Sequence, residues 1–181
     1  MNILAPLTYL IVTAILLSSA AFANPSDGST HFPIPSNIYN VKIVTTPSGL
    51  MTRAPLTEET LNQVGCAFYF PAESEIISEV VDILNSAFIT SSGHSRTIEP
   101  RNAVYFTLRD GSVSTIILSL QNNPESNIFG YQNDGKSFKS LPLTMESNAA
   151  ERIHKLAILK STSTNNSVHC PKNKLLQPGH N

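Results

Sequence analysis

The chain has 181 residues, 41% of them hydrophobic, and its 12 basic and 13 acidic side chains leave a formal net charge of −1. A charge this close to zero does not favour nucleic acid or an anionic membrane surface as the partner. The length suits a single domain that can bury its own core.

The N-terminal segment at 1–23 has the pattern of a secretory signal peptide. An uncharged apolar run at 7–17 leads into small residues and then into the sequence Ala-Phe-Ala, an A-x-A cleavage site that ends at Ala23. This run is too short to cross a bilayer of about 30 Å comfortably. We therefore expect a cleaved signal peptide, a periplasmic or secreted mature protein, and no stable membrane insertion after cleavage. Because no Lys or Arg precedes the run, an uncleaved N-terminal anchor is the alternative.

The chain contains two cysteines, Cys66 and Cys170. An exported protein with one pair of cysteines usually oxidises them to each other, so we predict a disulfide that ties the C-terminal tail to the centre of the chain. The alternatives are a nucleophilic Cys66 or a two-cysteine metal site. The sequence has neither metal-ligand spacing nor a phosphate-loop, zinc-protease or EF-hand motif, and we expect no metal and no cofactor.

Strands and helices are predicted to follow one another in the N-terminal half. A flexible leader at 24–37, rich in Pro and Ser, precedes alternating residues typical of a strand at 39–45. Thr57 is placed to cap a two-turn helix with Glu58 and Glu59 in its first turn, where a helix favours negative charge.

The clearest amphipathic helix follows a short buried strand. An apolar run at 64–70 predicts the strand, and Pro71 suits the first turn of the helix. From Ala72 to Phe88 apolar residues recur at helical spacing, which predicts a helix packed under a sheet. Its buried stripe is expected to contain Ile77, Val81, Leu84 and Phe88.

Antiparallel hairpins are predicted next along the chain. Strands at 104–108 and 113–120 flank the dipeptide Asp110-Gly111, and a two-residue turn there would set Leu108 opposite Val113 and Phe106 opposite Thr115. A second Asp-Gly dipeptide separates predicted strands at 127–132 and 136–141.

A closing helix is predicted from near Thr144 to Lys160. One side of it carries the apolar residues Ala149, Ile153, Leu156, Ala157 and Leu159. His154, on this helix, is expected to be a partly exposed surface histidine. A polar tail at 161–181 follows, tethered by Cys170.

These elements predict an α+β fold. We expect a single domain at 38–160, in which a meander of three to four strands and one or two N-terminal strands form an antiparallel sheet with two main helices on one face. The arrangement over 38–159 is similar in architecture to small exported binding modules of bacteria, including periplasmic inhibitors and immunity proteins. This similarity includes no specific motif.

The candidate binding residues lie in and beside a polar loop from Thr90 to Arg101. Loops that project from a rigid scaffold commonly carry binding groups, and arginines offer fork-shaped donors to a carboxylate or phosphate. Tyr105 and Arg109 on the next strand are expected to share an exposed face with Tyr131, and Tyr with Arg is typical of interaction hot spots. The predicted binding set is His94, Arg96, Arg101, Tyr105 and Arg109. A plain connector is the alternative interpretation of the loop.

Export, small size, one disulfide and the lack of catalytic motifs together indicate a non-enzymatic module that binds another protein. The hypothesis is a periplasmic inhibitor or immunity protein whose partner is a secreted toxin or a cell-wall-degrading hydrolase. One alternative is a small secreted hydrolase that uses His94 with a nearby serine. Another is a carrier or sensor that binds a small apolar ligand between the sheet and the helix at 72–88.

Overall fold

One antiparallel sheet of eight strands organises the part of the molecule that the structure describes. The computed structural model describes residues 32–47, 50, 54–90, 98–119, 127–135, 140–162 and 167–171. The strands are β1 (Ile38–Thr45), β2 (Cys66–Pro71), β3 (Phe88–Thr90), β4 (Pro100–Leu108), β5 (Val113–Ser119), β6 (Ile128–Asn133), β7 (Leu141–Met145) and β8 (Ser167–His169). Three α-helices accompany them in the described residues: α1 (Glu58–Val64), α2 (Ile76–Ala87) and α3 (Ala149–Ser161). The predicted α+β class is confirmed, with more strands than expected.

The order of strands across the sheet is β3-β7-β6-β5-β4-β1-β2-β8. Strands β4 to β7 are therefore neighbours in chain order, whereas β1 lies between β4 and β2. Two short strands, β3 and β8, form the edges and were not predicted. The signal peptide predicted at 1–23 lies outside the described residues.

The sheet divides its residues between two faces because successive side chains of a strand point to opposite sides. One face carries Val41, Phe70 and Phe106 into a core shared with α2 and α3. The opposite face is covered in part by α1, whose Leu61 packs against Val44. The part of that opposite face that α1 leaves uncovered carries the site described below.

Helix α1 begins as the sequence predicts. The Thr57 hydroxyl accepts a hydrogen bond from the Thr60 amide at 3.2 Å, and the Thr60 hydroxyl accepts one from the Thr57 amide at 2.7 Å. This reciprocal capping satisfies two backbone donors at the helix start. Glu58 and Glu59 occupy the first turn.

Helix α2 is shorter than predicted at both ends. Pro71 is the last residue of β2 rather than part of a helical turn, and the helix begins only at Ile76. Phe88, expected in the helical stripe, is extended and starts β3, where it pairs with Met145 of β7. At Phe88, hydrogen-bonded pairing with a neighbouring strand therefore determines the backbone conformation, although the sequence pattern is helical.

The β4–β5 hairpin has a different register from the predicted one. The Leu108 amide donates to the Ser112 carbonyl at 2.8 Å, and the Gly111 amide donates to the Leu108 carbonyl at 3.0 Å. The loop therefore has three residues, a tight turn followed by Gly111 at φ 84°, instead of the two of a simple Asp-Gly turn. The extra residue shifts the pairing by one.

The shifted register aligns the core-facing residues of the two strands with one another. Phe106 pairs with Ser114 rather than Thr115, and Thr107 rather than Leu108 pairs with Val113. Directly paired residues lie on the same face, so this register brings the core residues Val104 and Ile116 together.

The predicted boundary between the fourth strand and the last helix is wrong. Thr144 and Met145 belong to β7, and α3 begins at Ala149. Of the fourth strand predicted at 136–141, residues 136–139 lie outside the described residues. Leu159, expected on the apolar side of α3, is 73% exposed.

Both ends of the described chain are more ordered than predicted. Phe32, within the expected flexible leader, is buried and contacts Phe88 edge to face with ring centroids 5.8 Å apart. In the expected polar tail, β8 pairs with β2 at the edge of the sheet. The disulfide between Cys66 and Cys170 is present, as predicted.

Candidate functional site: the Lys42 groove

A groove of about 910 Å³ lies on the sheet face opposite α2 and α3. We call it the Lys42 groove. Its lining crosses five neighbouring strands, β5, β4, β1, β2 and β8, and continues past the end of β2. The lining residues used below are Tyr39, Lys42, Tyr69, Glu73, Tyr105, Thr107, Val113 and Ser167.

Strand pairing builds the centre of the groove. Lys42 of β1 lies directly opposite Tyr69 of β2 on one side and opposite Tyr105 of β4 on the other. Directly opposite residues point to the same face of a sheet. The three side chains therefore meet in a row across three strands.

The Lys42 ammonium is held between two aromatic rings. Its Nζ atom lies 5.0 Å from the Tyr105 ring centroid and 5.9 Å from the Tyr69 ring centroid, both within the range of a cation–π interaction. Nζ also donates a hydrogen bond to Asn62 Oδ1 at 2.7 Å. Burial lowers the pKa of Lys42 from its ordinary value, and the nearby Glu58 carboxylate partly opposes this shift.

Helix α1 supplies the groups that fix these side chains. The Asn62 amide nitrogen donates to the Tyr105 hydroxyl at 2.6 Å and to the Glu58 carbonyl at 3.0 Å. These two hydrogen bonds fix the orientation of the Asn62 amide. The Tyr131 hydroxyl donates to the Glu58 carboxylate at 3.2 Å. The capped start of α1 thereby sets the positions of Asn62 and Glu58 beneath the groove.

Tyr105 and Tyr131 are partly buried rather than exposed as expected, and their phenols keep their protons. Burial is the largest cause that raises the pKa of Tyr105 above its ordinary value, and it raises the pKa of Tyr131 to about 12 with a further contribution from Glu58. Both hydroxyls are therefore neutral hydrogen-bonding groups near neutral pH. Lys42 supplies the positive charge at the centre of the groove.

The rim of the groove is accessible and partly apolar. Tyr39 is 59% exposed, Tyr69 is 42% exposed and Val113 is 40% exposed. The carboxylate of Glu73 and the hydroxyls of Thr107 and Ser167 add polar groups to the lining. The groove thus offers aromatic faces, hydrogen-bonding groups and one partly desolvated cation on a rigid sheet.

The structure brings only part of the predicted binding set to this site. Tyr105 lines the groove, and its predicted companion Tyr131 lies in the cluster packed on the same face. Arg109 is exposed in the β4–β5 loop, and its Nε donates to the Ser36 carbonyl at 2.9 Å. His94 and Arg96 lie outside the described residues.

Arg101 does not project as a free contact residue. It is only 9% exposed, its Nη2 pairs with Glu99 Oε1 at 2.5 Å, and its Nη1 donates to the Leu50 carbonyl at 3.2 Å. The same Glu99 oxygen accepts from the Leu56 amide at 3.3 Å. Arg101 therefore fastens the segment before α1 to β4, and the expectation that it is exposed is wrong.

Lys42, Tyr69 and Asn62 belong to the site but were not among the residues predicted from the sequence. The alternation at 39–45 indicated that Lys42 faces away from the core, and Tyr69 alternates in the same way with two buried phenylalanines. Nothing local indicated that β2 and β4 would flank β1. The site therefore depends on a pairing order that sequence patterns do not contain.

The region in which a carrier or sensor would hold an apolar ligand contains packed core side chains. Between α2 and the sheet, Leu84, Val80 and Phe106 are fully buried members of one core cluster. The Lys42 groove lies on the other face.

Comparison with models of known protein families, with characterised proteins and with solved structures found no match. Among the described residues, no three side chains of His, Cys, Asp or Glu are grouped as metal ligands. Within the same ranges, no helix combines the length and apolar character needed to span a membrane.

Proposed function

We propose that this chain is an exported, non-enzymatic module that binds another protein through the Lys42 groove. The observation that carries the proposal is the row of Tyr69, Lys42 and Tyr105 across three strands in an open groove of about 910 Å³. Tyrosines with a polar handle are enriched at protein interfaces because they combine large contact area with hydrogen bonding.

The groove residues are suited to recognition by their rigidity. Lys42 is held by Asn62 and two rings, so little side-chain freedom remains to be lost when a partner binds. The accessible Tyr39 and Tyr69 supply apolar area beside this polar centre. An uncovered antiparallel sheet face is also a common docking surface.

Export is supported by the signal-like sequence at 1–23 and by the disulfide, which suits an oxidising compartment. Within that setting we favour a periplasmic inhibitor or immunity protein whose partner is a toxin or a cell-wall-degrading hydrolase. This choice rests on small size, export and the missing catalytic motifs.

Site-specific photo-crosslinking tests the proposal. A benzophenone amino acid replaces Tyr39 or Tyr69 in the groove, or Leu159 on α3 as an exposed control on the opposite side of the sheet. In the producing cells, we expect one crosslinked protein at both groove positions and not at Leu159. The identified protein is then purified and its affinity for the unmodified chain is measured by calorimetry.

Crosslinks to that protein only at Leu159, or no affinity between the two purified proteins, would reject the groove as the contact surface. A hydrolytic activity of the purified chain that disappears in His94→Ala would instead favour the secreted hydrolase.

A further inference from the structure

We propose that the Lys42 groove receives an extended segment of the partner protein through an Asp or Glu side chain, whose carboxylate binds the Lys42 ammonium. The inference rests on the proposed function of the groove as a protein-contact surface. It specifies which kind of side chain of the partner the groove binds.

The position of the positive charge within the groove favours an acidic side chain at its centre. Among the lining residues in the described part of the chain, Lys42 is the only cation, and Glu73 is an exposed carboxylate at the rim. On the α1 side Lys42 interacts electrostatically with Glu58, whose carboxylate accepts the hydrogen bond of Tyr131. A carboxylate of the partner that enters from the open side of the groove would approach Lys42 from the side away from α1.

The Lys42 ammonium has hydrogen-bonding capacity left for this carboxylate. An ammonium has three N–H donors, and within the described residues its one acceptor is Asn62 Oδ1 at 2.7 Å. The rings of Tyr69 and Tyr105 lie beside the ammonium, and partial burial lowers the pKa of Lys42. A charge-assisted hydrogen bond in such a place is stronger than one in open solvent.

The size of the groove fits an extended peptide. Its lining spans five adjacent strands, and neighbouring strands lie about 4.8 Å apart, so the distance across is roughly 19 Å. An extended segment rises about 3.3 Å per residue, and about six residues would cover that distance. Lys42 lies on the middle strand of the five, with Val113 on the first and Ser167 on the last.

Two synthetic hexapeptides test the inference. Ac-Thr-Val-Glu-Val-Thr-Ser-amide and its Gln counterpart differ only in the charge of one side chain. They are titrated into the isotope-labelled, disulfide-bonded protein at low salt, and NMR follows the Lys42 ε-methylene and the rings of Tyr39 and Tyr69. We expect the Glu peptide to shift these signals with at least tenfold higher affinity than the Gln peptide.

Variants of Lys42 test whether this residue causes the preference for the Glu peptide. Lys42→Met is expected to abolish the difference between the peptides, and Lys42→Arg to retain part of it because the charge remains. Lys155→Met is the matched control, since Lys155 is an exposed lysine on α3 that pairs with Glu151, and it should leave the difference unchanged. The melting temperature of each variant shows that it is folded, and Lys42→Arg carries the test if Lys42→Met unfolds.

Equal affinities for the two peptides, or a preference for Glu that survives in Lys42→Met, would overturn the inference. If both peptides shift Tyr39 and Tyr69 equally, the groove still binds protein segments but does not select a carboxylate. If neither peptide binds while a polygalacturonate hexasaccharide shifts Lys42, the occupant is an acidic glycan and the inference fails. If the crosslinked partner contacts another face, the proposed function itself fails.

Discussion

Replacing Leu84 by alanine tests the core between α2 and the sheet. Leu84 is 0% exposed and belongs to the cluster that α2, α3 and the sheet share. The substitution removes three buried carbons, worth about 2.4 kcal/mol at roughly 0.8 kcal/mol each. The cavity that remains adds to this loss, so we expect the free energy of unfolding to fall by about 3 to 4 kcal/mol.

Leu159→Ala is the matched control for Leu84→Ala. It makes the same chemical change in the interior of another helix, but Leu159 is 73% exposed. Helix propensity changes equally in both variants, and the control should alter the free energy of unfolding by less than about 0.5 kcal/mol.

Urea unfolding followed by circular dichroism measures both variants. For a domain of this size, the expected loss in Leu84→Ala corresponds to a melting temperature lower by about 6–16 °C. A loss below about 0.5 kcal/mol would show that α2 does not pack on the sheet in solution. Equal losses in Leu84→Ala and Leu159→Ala would also refute the burial argument.

Three further predictions concern the disulfide, a loop glycine and a histidine. Replacing Cys66 and Cys170 together by serine should lower the free energy of unfolding by up to about 4 kcal/mol, because the bridge joins residues 104 apart; an unchanged urea midpoint would contradict this. Gly111→Ala should cost about 1 to 2 kcal/mol through its φ of 84° alone, since an added Cβ meets nothing within 4 Å, and Gly111→Asn should cost less. Burial lowers the pKa of His154, whose Nδ1 lies 3.0 Å from the Thr45 hydroxyl. The unfolded chain therefore binds the proton more readily than the folded one. As the pH is lowered below about 6.5, the free energy of unfolding should fall more steeply in the unmodified protein than in His154→Gln. Profiles of urea midpoint against pH that run parallel in the two proteins would refute this.

Local patterns in the sequence were enough for the class of fold and for several elements. Thr57 and the two glutamates after it predict α1, because capping and the helix dipole act over a few residues. Alternation predicts β1, because one side of that strand is buried. The cysteine pair follows from the expected compartment and the even count.

Features that depend on distant residues were not predictable in this way. The Asp110-Gly111 dipeptide fits both a two-residue and a three-residue loop, and the burial of paired apolar residues selects the latter. Phe88 continues the helical pattern of α2, yet pairing with β7 makes it extended. Arg101 was expected to be exposed because the sequence does not reveal that Glu99 and Leu50 surround it.

The candidate site itself arises from the order of the strands. Lys42 is an ordinary outward-facing lysine in the sequence, and it becomes the centre of a groove only because β2 and β4 place Tyr69 and Tyr105 on either side. Of the predicted binding residues that the structure describes, Tyr105 lines this groove.

The affinity of the crosslinked partner for two surface variants shows whether the Lys42 groove is the contact surface. Tyr69→Ser removes a 42% exposed ring from the groove, and Leu159→Ser removes an exposed side chain from α3. Calorimetry with the purified partner should show an affinity at least tenfold lower for Tyr69→Ser, as for a hot-spot residue, and within about twofold of the unmodified protein for Leu159→Ser. An unchanged affinity in Tyr69→Ser together with a tenfold loss in Leu159→Ser would place the contact surface on α3 instead of the Lys42 groove.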